Sequence, residues 1–304
     1  MSAQARKTRK RKSQLPVALV YFATMLLFLA VFGLIGSFLV ERIEELNQPA
    51  ETVAAPATPS FNTLYARINS KNVLADMSIV RISPESNSVT VIPLSSFTKS
   101  DDGDTFREIF NESGIKKLKA SVEDTLDITV DNYVTISNSA FDQIVDLLGG
   151  IIYTPSEELY YLSDNDSDDI SFRKGETVSL VGRHVRLLFQ YPVFSEGKNG
   201  NLEFMGTALD SIIKSVFKQA SITSNNLDNM YGIITENSST DLDKNTYKTQ
   251  KAYIKQMLET NEVSCKMLLP SGVWNDEKMT LSDAFKGQLA QLIEQTEPVS
   301  AENT

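Results

Sequence analysis

The residues that could do chemistry are few. His184 is the only histidine of the 304-residue chain and Cys265 its only cysteine, which excludes a multi-histidine metal cluster and any disulfide within the chain. His184 lies between Arg183 and Arg186 at the start of an apolar run, a setting for a surface or structural role. Cys265, in Val263-Ser264-Cys265-Lys266-Met267-Leu268-Leu269, reads as a buried, inert thiol on a short strand. Asp164-Asn165-Asp166-Ser167-Asp168-Asp169 resembles the start of a calcium loop. Such a loop needs Gly at its sixth position and Glu at its twelfth, where this chain has Asp169 and Gly175. The motif fails, leaving an exposed acidic loop. There is no Gly-x-x-x-x-Gly-Lys phosphate loop and no Gly-x-Ser-x-Gly elbow. Trp274, after Pro270-Ser271-Gly272-Val273, reads as a packed loop anchor.

The elements that must position any site follow from hydrophobic period. Met77 to Ile82 and Ser88 to Leu94 are β-branched runs around Ser83-Pro84-Glu85-Ser86-Asn87, the pattern of a β-hairpin. Residues 105–113 and 115–126 carry apolar positions at helical spacing. Residues 128–136 read as a strand. A helix capped by Ser137 or Ser139 follows, with Phe141, Ile144, Val145, Leu147 and Leu148 on one face. Gly149-Gly150 stops it, and Ile151-Ile152-Tyr153 resumes as a strand. Residues 185–189 look strand-like; 202–217, 227–234 and 245–258 look helical; 263–269 reads as a strand and 281–295 as a last helix capped by Thr280 or Ser282. The hairpin and the central helix should bury Ile79, Ile92, Val134, Phe141, Ile144, Val145 and Leu148 together. This order predicts an α/β sandwich, a mixed central sheet flanked by helices.

Charge and hydropathy place the domain. Residues 15–40 form a 26-residue run without a charge, behind Arg6, Lys7, Arg9, Lys10, Arg11 and Lys12. Such a run is long enough to cross a bilayer, with the basic cluster on the cytoplasmic side. It is too long for a cleaved signal peptide and exits into Glu41-Arg42-Ile43-Glu44-Glu45 rather than a small-residue cleavage site. The expectation is a basic cytoplasmic tail (1–14), one transmembrane helix (15–40), a Pro/Ala-rich extracytoplasmic spacer (41–60), one domain (61–297) and a short tail (298–304). All 39 acidic residues but only 23 of the 29 Lys and Arg follow residue 40. The outer part therefore carries −16, against −10 for the chain, a poor partner for nucleic acid or an anionic surface.

Val122-Glu123-Asp124-Thr125-Leu126-Asp127-Ile128-Thr129-Val130-Asp131-Asn132-Tyr133-Val134 runs on into Phe141-Asp142-Gln143-Ile144-Val145-Asp146-Leu147-Leu148-Gly149-Gly150. Together they resemble the central signature of the LytR-CpsA-Psr family of the bacterial cell envelope. The hairpin of residues 79–94 is similar to the family's opening strands. Phe172-Arg173-Lys174-Gly175 with Leu180-Val181-Gly182 resembles its Lys-Gly-x-x-x-Leu-x-Gly segment. The resemblance spans residues 72–297 and implies transfer of wall glycopolymers from a polyprenyl-pyrophosphate carrier to peptidoglycan. Arginine forks would bind the pyrophosphate, and aspartates would hold a divalent cation, magnesium.

The pattern breaks where that chemistry would sit. The family's Pro-Arg-Asp-Thr is Ser95-Ser96-Phe97-Thr98 here, its Arg-x-Arg is Gln190-Tyr191-Pro192, and its Gly-Arg-x-x-Arg-Gln is Gly200-Asn201-Leu202-Glu203-Phe204-Met205. Asp76 stands as the one candidate early acidic residue. Lys198, Arg183 and Arg186 are the cations that could compensate. Phe97, Phe189, Phe204 and Met205 are candidates to line an apolar lipid pocket, or to fill it as core. The reading is a membrane-anchored, non-catalytic relative without a cofactor, binding a polyprenyl lipid, a wall glycopolymer or an envelope partner protein. The alternative is an active, divergent phosphotransferase using Mg2+.

Overall fold

The computed structural model describes residues 58–147, 149–163, 168–221, 223–225, 227–228, 231, 239–260 and 262–296, apart from the side chains of Ile144 and Leu147. The tail, apolar run and most of the spacer expected from the sequence lie outside these residues. So do residues 298–304, Leu148, the centre of the acidic loop and most of the expected helix over 227–234. Among the described residues no helix is long and apolar enough to cross a membrane.

Six strands form one mixed sheet in the order β10-β3-β2-β1-β4-β9. These are β1 (Phe61–Ile68), β2 (Leu74–Ser83), β3 (Ser88–Leu94), β4 (Asn132–Ser137), β9 (Ser239–Thr240) and β10 (Ser264–Met267). β1, β2 and β3 are antiparallel neighbours, whereas β1 with β4 and β10 with β3 are parallel. Three small pairs complete the strands: β5 (Ile151–Tyr153) with β8 (Val178–Leu180), β6 (Leu159–Tyr161) with β7 (Ile170–Phe172), and β11 (Gly272–Asn275) with β12 (Lys278–Leu281). The helices described over their full length are α1 (Phe106–Leu126), α2 (Asn138–Leu147), α3 (Gly182–Phe189), α4 (Lys198–Lys218), α5 (Lys244–Thr260) and α6 (Asp283–Thr296).

All ten residues of β2 are buried. A strand covered on both faces has no need of polar alternation, and successive side chains feed different cores. Met77 and Ile79 join Leu64, Ile92, Leu94, Phe106, Phe141 and Val145 on one face. Val80 and Ile82 join Val89, Val91, Ile254 and Met257 on the other. Val134 belongs to this second core, which corrects the expectation that it packs with Ile79 and Phe141. Neighbouring Tyr133 takes the first face, as the two-residue period of a strand requires.

Local signals set the boundaries. Thr105 caps α1 in a capping box: its hydroxyl accepts from the Glu108 N–H at 3.2 Å, and its own N–H donates to Glu108 Oε2 at 2.7 Å. Gly114 (φ 74°, ψ −174°) breaks α1 internally, so the two expected helices are one bent element. Ser137 Oγ accepts from the Ala140 N–H, and Ser282 Oγ from the Phe285 N–H, both at 3.1 Å. At Gly150 (φ 74°) a Cβ would sit 2.3 Å from the Leu180 carbonyl oxygen, so only glycine fits there. Residues 185–189 are not a strand but the body of α3. Val185, Leu188 and Phe189 are buried and Arg186 exits sideways, a helical spacing that the short apolar run disguised.

Ile79→Ala should cost about 2–5 kcal/mol in a urea titration of residues 58–304, because it opens a cavity on a face with no solvent. Glu108 carries a second consequence. The Lys278 ammonium, 2.9 Å from Oε1, and the Thr105 N–H and hydroxyl hold its carboxyl down at about 2. The folded value lies below the unfolded one, so this stabilisation is present above the ordinary carboxylate range and disappears as pH falls through about 2. An NMR titration of Glu108 should find that low midpoint, and Lys278→Met should raise it.

Candidate functional site

A cavity of about 530 Å³ opens at the end of the sheet where β2 begins and β3 ends. Its floor comes from Ala75, Asp76 and Leu94, and one wall from the loop Ser95-Ser96-Phe97 with Arg107 of α1. The opposite wall is Phe189, Gln190, Tyr191 and Pro192 at the end of α3, with Lys198, Asn201, Leu202 and Met205 of α4, and Glu277 of the β11–β12 turn closes it. Its size lies within the range of about 300–1,000 Å³ usual for small-molecule sites.

Asp76, Ser96, Phe97, Phe189, Gln190, Pro192, Asn201 and Met205, distant in sequence, meet on this one surface. Phe204 does not. It is buried beneath the wall, edge-on to Tyr153 at 5.0 Å and to Phe189 at 5.9 Å, so it fills core rather than lining space. The short polar residues are committed to backbone. Ser96 Oγ donates to the Ala75 carbonyl at 3.0 Å, and Asn201 Nδ2 donates to the Tyr191 carbonyl at 2.9 Å and the Leu188 carbonyl at 3.3 Å. Asn201 thereby ties the C-terminal end of α3 to the first turn of α4.

Asp76 is held from behind. Arg67 of β1 grips both of its carboxylate oxygens, with Nε 3.0 Å from Oδ1, and its remaining nitrogen donates to Asn138 at the start of α2. Arg67 is 3% exposed. Both Asp76 oxygens are thus already engaged by Arg67.

Two cations face the cavity. Arg107, which the sequence reading missed, lies 4.5 Å from the Phe97 ring centre and donates through Nε to the Leu74 carbonyl at 2.8 Å. Burial draws its guanidinium down from the ordinary value, while Asp76 and Glu277 hold it up; it stays cationic. Lys198 Nζ lies 4.4 Å from the same ring and 3.5 Å from Glu277. The cue for Arg107 was a basic residue in the first turn of a helix, where the macrodipole disfavours it. The other compensating candidates turn elsewhere: Arg186 makes a two-pronged bond to Asp142 (2.6 and 2.8 Å), and Arg183 pairs with Asp168. His184 packs edge-on against Phe172 at 5.4 Å, outside the cavity, and burial followed by Arg183 lowers its pKa. Cys265 lies on β10, where burial raises its thiol to about 11. Trp274 is on β11 rather than in a loop and donates from Nε1 to Asn199 at 2.9 Å.

Residues 77–296 match the LytR_cpsA_psr family. The chain belongs to that family. No curated protein matches it significantly. Among solved structures, it is similar to a protein of Eubacterium siraeum named as a transcription regulator, with a TM-score of 0.71 and 18% identity over 82% of this chain and 96% of that one. It is also similar to TagT bound to LIIa-WTA, with a TM-score of 0.59 and 16% identity over 83% and 95%. The LytR-CPS2A-psr family protein YwtF (TagT) with bound octaprenyl pyrophosphate lipid gives a TM-score of 0.55 and 15% identity over 83% and 95%. These likenesses establish the shared fold.

Asp76→Ala should strip the buried Arg67 of its counter-charge and cost about 3–5 kcal/mol in chemical denaturation. A loss of under about 1 kcal/mol would show that this pair does not hold the cavity floor.

Proposed function

We propose that this chain is a membrane-anchored, non-catalytic member of its family that binds a polyprenyl-linked wall-polymer intermediate on the outer face of a bacterial membrane. The observation that carries the reading is the composition of the cavity wall. Leu94, Phe97, Phe189, Leu202 and Met205 supply apolar surface, and Arg107 and Lys198 supply charge. The positions that carry arginine or aspartate in the family pattern hold Ser96, Phe97, Gln190, Pro192, Asn201 and Phe204. An isoprenoid with a phosphorylated head has this pairing of greasy stem and anionic end. TagT, which shares the fold, has been solved with octaprenyl pyrophosphate and with LIIa-WTA, which supports the same ligand class here.

The charge pairing in the cavity supports binding without transfer. A phosphoryl transfer needs its developing charge held by placed cations or a metal. Asp76 is neutralised by Arg67, and Lys198 is partly neutralised by Glu277. The apolar run of residues 15–40 supports a single membrane anchor, with residues 1–14 inside, a spacer over 41–60 and the family domain over 61–297. One observation favours a second reading: Arg107 and Lys198 converging on Phe97 is the kind of cationic pair that an active, divergent phosphotransferase would use with a divalent ion.

Calorimetry with farnesyl pyrophosphate, a water-soluble short-chain analogue, separates the two. The chain should bind it, and Arg107→Ala with Lys198→Ala should weaken binding at least about tenfold, since each charge-assisted bond is worth about 1.5–3 kcal/mol. No phosphate should be released and no polymer transferred, with or without magnesium. Steady transfer would replace this reading with the second one.

A further inference from the structure

We propose that Tyr160, Tyr161, Leu162 and Val193 form an apolar lip that seats in the outer leaflet of a lipid bilayer and presents the cavity mouth to it. The inference rests on the binding reading above and names the surface from which the ligand is taken. These four side chains are 57%, 41%, 62% and 56% exposed. Three of them are consecutive in sequence; large apolar groups left in water in a cluster mark an interaction surface, and tyrosine suits the boundary between headgroups and acyl chains. The lip is fixed to the cavity wall. Tyr191, which lines the cavity, accepts through its hydroxyl from the Tyr160 N–H at 2.8 Å and donates to the Tyr160 carbonyl at 3.1 Å. Pro192 lines the cavity as well, and Val193 follows it directly.

The tether decides in favour of a bilayer as occupant. The chain enters the fold at Phe61, opposite Ile82, whereas Arg67, opposite Asp76, marks the cavity end. Those six residues of strand span about 20 Å. A rigid, short connection would therefore hold the cavity away from the membrane. The 20 residues between the apolar run and Phe61 can extend to about 66–72 Å, enough for the domain to turn its cavity end back to the bilayer. Tethering also keeps the lip at a high local concentration over the surface, so a small apolar contact suffices. Carboxylates flank the lip: Asp168 on Arg183, Asp169 accepting from the Ser163 N–H at 2.8 Å, and Glu157 accepting from the Ser195 N–H at 2.9 Å. Arg183 stands beside Asp168, and Lys174 beside Glu158, so the contact is assigned to the apolar side chains rather than to net charge.

The test uses the full chain in phosphatidylcholine proteoliposomes, in a Cys265→Ser background, with an environment-sensitive dye on Leu162→Cys and bromine quenchers on the acyl chains. The dye should be quenched, and a dye on Glu85→Cys, in the turn at the opposite end of the sheet, should not. Deleting residues 43–57 leaves too little reach and should abolish quenching at Leu162. Tyr161→Ser, Leu162→Ser and Val193→Ser together should reduce extraction of a bilayer-embedded polyprenyl phosphate about tenfold, with farnesyl pyrophosphate binding from water unchanged. A Leu162 dye that stays in water, or is shielded only by a second copy of the chain, overturns the lip, as does unchanged extraction. Absence of farnesyl pyrophosphate binding in the unmodified chain instead overturns the cavity reading, and the quenching result still decides the lip.

Discussion

The site depends on one buried ion pair. Arg67 on β1 and Asp76 on β2 face each other across an antiparallel register, and the same guanidinium reaches Asn138 where α2 begins. Two charges out of water are tolerable only when geometry and further hydrogen bonds compensate the lost hydration. Here the planar fork meets both carboxylate oxygens, and the Phe141 ring lies 5.8 Å from the guanidinium carbon. The pair fixes the floor of the cavity, and it makes Asp76 part of the scaffold.

Everything else at the cavity is set by how the central sheet is covered. Because β2 is buried on both faces, its functional groups emerge only at its end, where the loop after β3, the end of α3, the start of α4 and the β11–β12 turn converge. The formal charges in the wall are two cations, Arg107 and Lys198, and two anions, Asp76 and Glu277. The wall thus sets two cations and two anions beside an apolar surface, the pairing on which the proposed ligand class rests.

Much of the scaffold was legible because local signals agreed with the tertiary ones. The Pro84–Asn87 turn and Gly149-Gly150 each encode one boundary, and each behaves as its residue types require. Strand β1 was harder to see, because Asn62, Thr63 and Arg67 are buried polar residues whose partners, such as Asp131, lie far away in sequence. α3 was mistaken for a strand because an eight-residue helix offers too few turns for its period to stand out. At the site, the positions compared with the family pattern were readable one by one. Their convergence with Arg107 and Glu277 was not, since that depends on how α1 and a distant hairpin pack against the sheet.

The central claim is that an isoprenoid with a phosphorylated head occupies this cavity. Photo-crosslinking with a diazirine-bearing prenyl phosphate, followed by peptide mapping, tests it most directly. The account predicts adducts confined to residues 94–97 and 189–205, competed away by unlabelled lipid. Adducts on the α5 face of the sheet, or labelling that competitor does not reduce, would contradict it.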